Sequence, residues 1–236
     1  MNLVKEPQIS VEWIGSEREP VITIDDFAQD PDALRNAAKQ SEFRVIGDYY
    51  PGLRAKVPQS YFADIGNTLG NVLREFFQCR AGADVLSSYY SLVTTPPAEL
   101  TLAQRIPHAD AYNDQQIAIL HYLCRDDLGG TAFFRQRATG FETISEDRVE
   151  TFHHALAADL VQHGEPEPHY IGSDSPLFER THLCAPKYNR ALIYRGKMLH
   201  CGALDTTPDL PTDIENGRLT IASFLNSRSE ASGGRR

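Results

Sequence analysis

The sequence predicts one mainly β domain with α-helices packed on its outside. In the N-terminal third, apolar residues recur at helical spacing, most regularly from Tyr61 to Gln78. After Val85, short segments rich in β-branched and aromatic residues follow one another, with turns between them. A length of 236 residues is one that single β-sandwiches and barrels reach. We therefore expect a single core, with the helices in an N-terminal part of about residues 20–80.

The N-terminal part contains one predicted strand and two predicted helices. The residues 21–24 (VITI) are β-branched and predict a strand. Asp30 and Pro31 fit the N-cap and the first position of a helix. The segment from Tyr61 to Gln78, with its apolar stripe, predicts a second helix whose buried side belongs to the core.

A short aromatic segment between these helices has two open interpretations. In residues 49–54 (YYPGLR), Pro51 and Gly52 mark a turn. Tyr49, Tyr50 and Arg54 could form a loop that recognises a substrate with an apolar part and an acidic or polar group. Alternatively, the tyrosines are half-buried packing residues with hydrated hydroxyls.

The β-rich part is predicted to occupy residues 85–228. We expect strands at 85–93, 117–123, 131–135, 191–194 and 219–225. The strands at 117–123 and 131–135 are separated by the turn 125–130 and are interpreted as a hairpin-like meander. Ser145 is predicted to cap a helix that begins with Glu146 and ends at Gly164. Residues 205–217 are expected to form a polar loop, and residues 229–236 a disordered tail.

Composition excludes some classes of function. The net charge of −9 argues against a general nucleic-acid-binding protein, which needs a basic face. The first residues have no apolar segment of signal-peptide length, and no run approaches a transmembrane helix. Four widely spaced cysteines form no C-x-x-C pair, which fits a reducing cytosol, so we expect a cytoplasmic protein that binds no membrane. The sequence carries no signal for an oligomeric state.

The segment around His108 and Asp110 is the strongest candidate for chemistry. On an extended chain, residues two apart project from the same face, so the imidazole and the carboxylate would lie side by side. His200, from a distant strand, would complete a set of two histidines and one carboxylate, which is typical of non-heme Fe(II) oxygenases. The alternative is a polar loop after Pro107, because His-x-Asp also occurs by chance.

An ordered series of motifs extends over roughly the second half of the chain. The elements are His108-Ala109-Asp110, Ile119-Leu120-His121-Tyr122-Leu123, Asp126-Asp127, Gly129-Gly130, Thr131-Ala132-Phe133, Arg190-Ala191-Leu192-Ile193-Tyr194, His200-Cys201-Gly202 and Gly217-Arg218-Leu219-Thr220. In this order they resemble the prolyl 4-hydroxylase branch of the Fe(II)/2-oxoglutarate dioxygenases. The chain is also similar to a bacterial group within this superfamily, for which no substrate is implied.

This resemblance implies a fold, cofactors and site residues. The fold would be a double-stranded β-helix (jelly roll) in one dioxygenase domain of residues 1–228, with the N-terminal helices packed on one sheet. Fe(II) would be held by His108, Asp110 and His200, and 2-oxoglutarate and dioxygen would be cosubstrates. Arg218 would pair with the distal carboxylate of 2-oxoglutarate, to which Tyr122 would donate a hydrogen bond and Thr220 could contribute.

The chain departs from the family pattern in two ways. Arg218 stands where the prolyl hydroxylases commonly have lysine, although arginine serves in many relatives. The gap from His200 to Arg218 is longer than usual, which a flexible loop can tolerate. The expected reaction is hydroxylation of a C–H bond in a small-molecule or peptidyl substrate.

Several other basic side chains could belong to the site or serve only the packing and the surface. Arg135 could bind an acidic group of the substrate or be solvated, and His121, facing away from Tyr122, is expected to be structural. His153 and His154 are expected on a helix surface.

Two other functions are possible alternatives to the dioxygenase. They are a non-catalytic, cupin-like binding protein and a Zn(II) hydrolase with the same ligands. Neither alternative needs a dicarboxylate site.

Overall fold

The computed structural model describes residues 6–204 and 210–228, and within them the chain is mainly β with three α-helices. In chain order the elements are β1 (Gln8–Ile14), β2 (Glu19–Asp25), α1 (Pro31–Lys39), β3 (Gly52–Lys56), α2 (Ser60–Phe76), β4 (Ala83–Val93), β5 (Gln116–Tyr122), β6 (Gly130–Gln136), α3 (Val149–His163), β7 (Phe178–Cys184), β8 (Ala191–Arg195), β9 (His200–Ala203) and β10 (Leu219–Ser227). No helix in the described residues is long and apolar enough to cross a membrane. The predicted tail 229–236 lies outside the described residues, as do residues 205–209 of the predicted loop.

The strands form two antiparallel sheets. The major sheet has the order β1-β2-β8-β5-β10-β4-β3, and the minor sheet has the order β7-β6-β9. Ala118 and Tyr122 on the major sheet share a buried cluster with Phe133 and Cys184 on the minor sheet. Because alternate residues of a strand face opposite sides, this cluster defines the inner face of each sheet. The two inner faces therefore enclose a common interior.

Helices cover the outer faces of both sheets. Ile117 and Ile119 of β5 alternate with the inner residues and pack in one cluster with Ile65 and Leu69 of α2. The apolar stripe of α2 is thus core, as its spacing indicates. On the outer face of the minor sheet, Phe152 of α3 joins a cluster with strand residues of β6, β7 and β9. The molecule is layered as helix, major sheet, minor sheet and helix.

His121 is a fully buried histidine on the outer face of the major sheet, which confirms its structural assignment. Its Nδ1 lies 3.3 Å from the Tyr61 hydroxyl, and its Nε2 lies 3.0 Å from Asn189 Oδ1. Asn189 Oδ1 is an acceptor, so the neutral ring donates from Nε2 and accepts at Nδ1 from Tyr61. Burial lowers the pKa of His121 from 6.5 to about 4, partly opposed by the bond to Asn189.

This buried imidazole gives a prediction for the pH dependence of stability. Between pH 6.5 and about 4 the unfolded chain binds a proton at His121 that the folded chain does not, so stability falls as pH falls. The loss should reach on the order of 3 kcal/mol near pH 4. We expect His121→Gln to be less stable than the wild type at pH 7.5, and the difference to narrow by pH 4.5. Urea unfolding at several pH values measures this, and a difference independent of pH would contradict it.

The connection between β5 and β6 differs from the predicted hairpin. The two strands do not pair; β5 lies in the major sheet and β6 in the minor sheet. Gly129, at φ +74°, and Gly130 redirect the chain between the sheets, and a Cβ on Gly130 would lie 2.1 Å from the Cys184 carbonyl oxygen. A glycine-containing acidic turn can join two paired strands of one sheet or two strands of different sheets. The sequence alone therefore does not distinguish these two connections.

Two local boundaries also differ from the expectation. Helix α3 begins at Val149 and not at Glu146, because residues 145–148 form a turn in which the Ser145 hydroxyl donates to Asp147. The turn predicted at Pro51–Gly52 runs directly into β3, so Arg54 lies on a strand and not in a loop. The strands β1, β3 and β7 were not predicted, and for β9 only its first residue, His200, was placed on a strand.

Candidate metal and cosubstrate site

The backbone positions His108 beside His200. The His108 N–H donates to the His200 carbonyl oxygen at 3.0 Å, and the His200 N–H donates back to His108 at 2.9 Å. His108 thereby pairs with β9 at the edge of the minor sheet, with its ring on the inner face beside that of His200. Two residues later, the Asp110 N–H donates to the Gly196 carbonyl oxygen at 2.7 Å. These bonds fix the two ends of the His-x-Asp segment to the β8–β9 connection.

The three side chains converge on one point. Their potential ligand atoms all lie within 4.8 Å of one another. Asp110 lies 3.6 Å from His108 Nε2 through Oδ1 and 3.4 Å from His200 Nε2 through Oδ2. The His200 side chain is 7% exposed and the His108 side chain 52% exposed. The group is therefore buried on the His200 side and open to solvent on the His108 side.

Hydrogen bonding orients His200. Its Nδ1 lies 2.9 Å from the Met198 carbonyl oxygen, which can only accept, so Nδ1 carries the proton and Nε2 faces Asp110 with a lone pair. Burial lowers the pKa of His200, which favours this neutral ring. For Asp110, burial acts to raise the pKa, whereas protonated His200 and His108 and the guanidinium of Arg54 act to lower it, and the net shift is downward.

The donor set fits a divalent metal ion. Asp110 Oδ2 is a buried oxygen without a hydrogen-bond partner in the described part of the chain. A buried carboxylate of this kind is costly unless a cation or donor satisfies it. Two imidazole nitrogens and one carboxylate on one side suit an ion with open positions on the other. The arrangement can therefore hold a metal and leave room for further ligands.

Arg218, Tyr122 and Thr220 lie together on the inner face of the major sheet. Thr220 pairs directly with Tyr122, and the Arg218 guanidinium lies 5.6 Å from the centre of the Tyr122 ring. Arg218 is 4% exposed, and its guanidinium donates to the carbonyl oxygens of Gly129 and Gly130. Within residues 6–204 and 210–228, no carboxylate lies within ion-pair distance of it. The guanidinium is thus buried with its positive charge uncompensated there.

The residues of the aromatic segment divide between surface and interior. Tyr49 is 78% exposed, whereas the hydroxyl of Tyr50 is buried. The Arg54 guanidinium stacks on Tyr50 at 4.4 Å and lies 5.9 Å from the Tyr89 ring. Burial lowers the pKa of Arg54, and the negative charge of Asp110 opposes this effect. The structure therefore brings Tyr50 and Arg54, but not Tyr49, towards the metal-ligand group.

Arg135 belongs to a different group of residues. Its guanidinium binds Glu142 at 2.5 Å and Glu179 at 3.2 Å. Glu142 also accepts from the backbone and hydroxyl of Ser16, so Arg135 stabilises the packing of the β1–β2 turn. Two carboxylates thus hold this guanidinium in the described structure, and the contact with an acidic substrate stays a prediction.

Several polar residues around this interior were not identified from the sequence. Thr131 bonds the Tyr122 hydroxyl through its own hydroxyl at 2.5 Å and so joins the two sheets. Ser91 pairs with Thr220 on the inner face, and Tyr170 donates to the Thr95 carbonyl oxygen at 2.7 Å. Thr131 lies in the recognised motif and could have been found from its alternation with Phe133. Ser91 and Tyr170 have no sequence signal of this kind.

The chain is similar to several solved structures over most of its length. HygX from Streptomyces hygroscopicus, with nickel and 2-oxoglutarate bound, is 12% identical, with 87% of this chain and 82% of that chain covered and a TM-score of 0.43. SnoN, a non-heme alpha-ketoglutarate-dependent epimerase from nogalamycin biosynthesis, is 8% identical, with 93% and 88% covered and a TM-score of 0.46. An N-substituted L-amino acid dioxygenase from Burkholderia ambifaria AMMD is 12% identical, with 91% and 84% covered and a TM-score of 0.41.

Sequence comparison places the chain in a family. No curated protein matches the sequence. The profile of a family described as a family of unknown function, DUF6445, matches residues 5–225. That range includes all three potential metal ligands and the two arginines that face the interior, Arg54 and Arg218. Because the match extends over nearly the whole sequence, the chain belongs to the DUF6445 family.

Proposed function

We propose that this protein is an Fe(II)- and 2-oxoglutarate-dependent dioxygenase that hydroxylates a C–H bond of a small-molecule or peptidyl substrate. The observation that supports this most strongly is a combination of two sites on facing inner surfaces. One is the group of His108, Asp110 and His200, which can hold a metal. The other is the buried guanidinium of Arg218 on the opposite sheet. A metal ligand set and a separate carboxylate site are what a 2-oxo dicarboxylate requires.

His108, Asp110 and His200 would hold the iron. Bound Fe(II) would supply activation of dioxygen, coupled to the oxidative decarboxylation of 2-oxoglutarate to succinate and carbon dioxide. Asp110 contributes the negative charge, and the bond from His200 Nδ1 to Met198 holds that ring in the tautomer a metal needs. The rings of Tyr194 and Phe133 lie 4.8 and 6.2 Å from the His200 ring and exclude water from that side.

Arg218 and Tyr122 would hold the distal carboxylate of 2-oxoglutarate. A guanidinium forms a bidentate, charge-assisted pair with a carboxylate. Burial raises the pKa of the Tyr122 phenol, so the hydroxyl keeps its proton and can act as a donor. Thr131 and Thr220, beside Tyr122, fix its position through a hydroxyl bond and a strand pairing. The charge of Arg218 would then be compensated by the cosubstrate.

This proposal includes a fold and a location. The two facing sheets would form a double-stranded β-helix, with α1 and α2 on the outer face of the major sheet, in one domain of residues 1–228. All four cysteines are buried and none of them forms a disulfide within the described residues, so a cytoplasmic location is consistent with them.

Anaerobic reconstitution tests the function. Adding Fe(II) and 2-oxoglutarate together should produce a visible charge-transfer band that neither produces alone, because the band requires the 2-oxo acid to bind to the iron. Exposure to air should then yield succinate, slowly in the absence of a substrate. A band without succinate would indicate the non-catalytic binding protein. No band, together with Zn(II)-dependent hydrolysis of a test ester, would favour the hydrolase.

A further inference from the structure

A row of polar residues crosses the inner face of the major sheet and ends at Arg54. Tyr122 pairs with Thr220, Thr220 with Ser91, and Ser91 with Arg54. Residues paired directly in antiparallel strands project from the same face. Arg54 therefore shares the face of Tyr122 but lies three strand spacings away, on the order of 14 Å between backbones. The backbones that carry Arg54 and Tyr122 are thus well separated, and the Tyr50 side chain lies where the charges of both Arg218 and Arg54 act on it.

The polar groups around Arg54 are buried and without partners. Arg54 Nε and the Tyr50 hydroxyl are both buried with no hydrogen-bond partner among the described residues. In that part of the chain no carboxylate lies within ion-pair distance of Arg54. The guanidinium carbon of Arg54 lies 4.4 Å from the centre of the Tyr50 ring and 5.9 Å from that of the Tyr89 ring, and these contacts restrict its movement. Two unsatisfied donors fixed side by side are complementary to an oxyanion.

Arg44 adds a second positive charge at this edge of the sheet. Its backbone pairs with that of Arg54, with N···O distances of 3.0 and 2.8 Å. The two side chains therefore project from the same face, directly opposite each other. Like charges in this position destabilise a pair of strands. An anion bound between them and the interior would offset that repulsion.

The charges of the interior favour an anion with one negative charge. Asp110 is negative, and Arg54 and Arg218 are positive, which leaves one excess positive charge among these three groups. Fe(II) and the two carboxylates of 2-oxoglutarate would cancel each other, and histidine ligands are neutral. One further negative charge would neutralise this interior, because Arg44 is exposed and solvent screens most of its charge. A carboxylate supplies one, whereas a phosphate monoester would supply nearly two.

We propose that the primary substrate is a monocarboxylic acid whose carboxylate binds Arg54 and accepts a hydrogen bond from the Tyr50 hydroxyl. Held there, the body of the substrate would extend from the inner face of the major sheet across the interior, towards the metal ligands at the edge of the minor sheet. This substrate class rests on the proposed dioxygenase function, although the carboxylate site itself can be tested without it.

The test uses acids and their uncharged counterparts as probes. Benzoate, phenylacetate, 3-phenylpropionate and hexanoate are each compared with the corresponding primary amide by their effect on the thermal unfolding midpoint. With Fe(II) and 2-oxoglutarate bound anaerobically, Arg218 is occupied, and acids should stabilise the protein more than amides. We expect Arg54→Gln to weaken binding of the acids about ten- to a hundredfold and to leave amide binding unchanged. Arg54→Lys should restore part of the preference, and Arg74→Gln on the exposed face of α2 is the matched control.

The metal-free protein separates this proposal from the function. The metal-free Arg218→Gln variant should still bind acids more tightly than amides, and the double variant Arg218→Gln/Arg54→Gln should lose this preference. That result would support the carboxylate site even if no charge-transfer band forms. A charge-transfer band of unchanged intensity in Arg54→Gln is also expected, since 2-oxoglutarate binds elsewhere. Equal binding of acids and amides, or a preference that survives Arg54→Gln in both forms, would overturn the proposal.

Discussion

Replacing His108 or His200 with alanine is expected to abolish Fe(II) binding. Loss of an outer-shell partner alone weakens metal binding about 10- to 100-fold, so loss of a direct ligand should cost more than about 100-fold. His108→Ala is the cleaner variant, because its side chain is 52% exposed and its removal leaves no cavity. His200 is buried against Tyr194 and Phe133, so His200→Ala should also lower the thermal unfolding midpoint of the metal-free protein.

The measurement is iron content after anaerobic loading and desalting, together with the shift that Fe(II) causes in the unfolding midpoint. A ligand at 100 times its dissociation constant stabilises a protein by about 2.7 kcal/mol, and this stabilisation should disappear in both variants. His153→Ala, at an exposed position of α3, is the matched control and should load like the wild type. Unchanged iron stoichiometry in both His108→Ala and His200→Ala would mean that other residues bind the metal.

The placement of His108 beside Asp110 could be predicted because it depends on a local rule, whereas His200 was identified from the order of the motifs. Residues two apart on an extended segment share a face, and this placed His108 and Asp110 together. His121 and Tyr122, adjacent on β5, were assigned to opposite faces by the same rule, and both lie where it put them. Alternation along a strand is a property of the backbone and needs no knowledge of the partner strand.

The pairing partners of each strand could not be predicted from the sequence. The remaining differences between the expected and the observed structure follow from this. Whether the chain pairs β6 with β5 or passes to the minor sheet depends on long-range packing, which an acidic turn with glycines does not specify. Arg54 joins the interior only because β3 pairs with β4, a contact between distant parts of the sequence. Arg135 was considered for the substrate because Glu142 and Glu179, which bind it, could not be placed beside it in advance.

Arg218→Ala is expected to weaken 2-oxoglutarate binding severely. Removing one partner of a buried, hydrogen-bonded charge pair costs about 2–5 kcal/mol, which is roughly 30- to 4,000-fold in affinity. Tyr122→Phe removes only a hydroxyl donor and should cost less, about 0.5–1.5 kcal/mol. Arg218→Lys keeps the charge but loses the bidentate geometry, so its affinity should lie between those of the wild type and Arg218→Ala.

Titration of 2-oxoglutarate into the Fe(II)-loaded protein, followed by the charge-transfer band, measures these affinities. Iron content should be unchanged in all three variants, because Arg218 and Tyr122 lie on the major sheet and two of the three potential ligands lie at the edge of the minor sheet. Without cosubstrate, Arg218→Ala should not destabilise the protein strongly, since it removes a buried charge that has no carboxylate partner among the described residues. If Arg218→Ala binds 2-oxoglutarate with native affinity while Arg54→Gln does not, the two arginines exchange roles, and the cosubstrate extends towards β3.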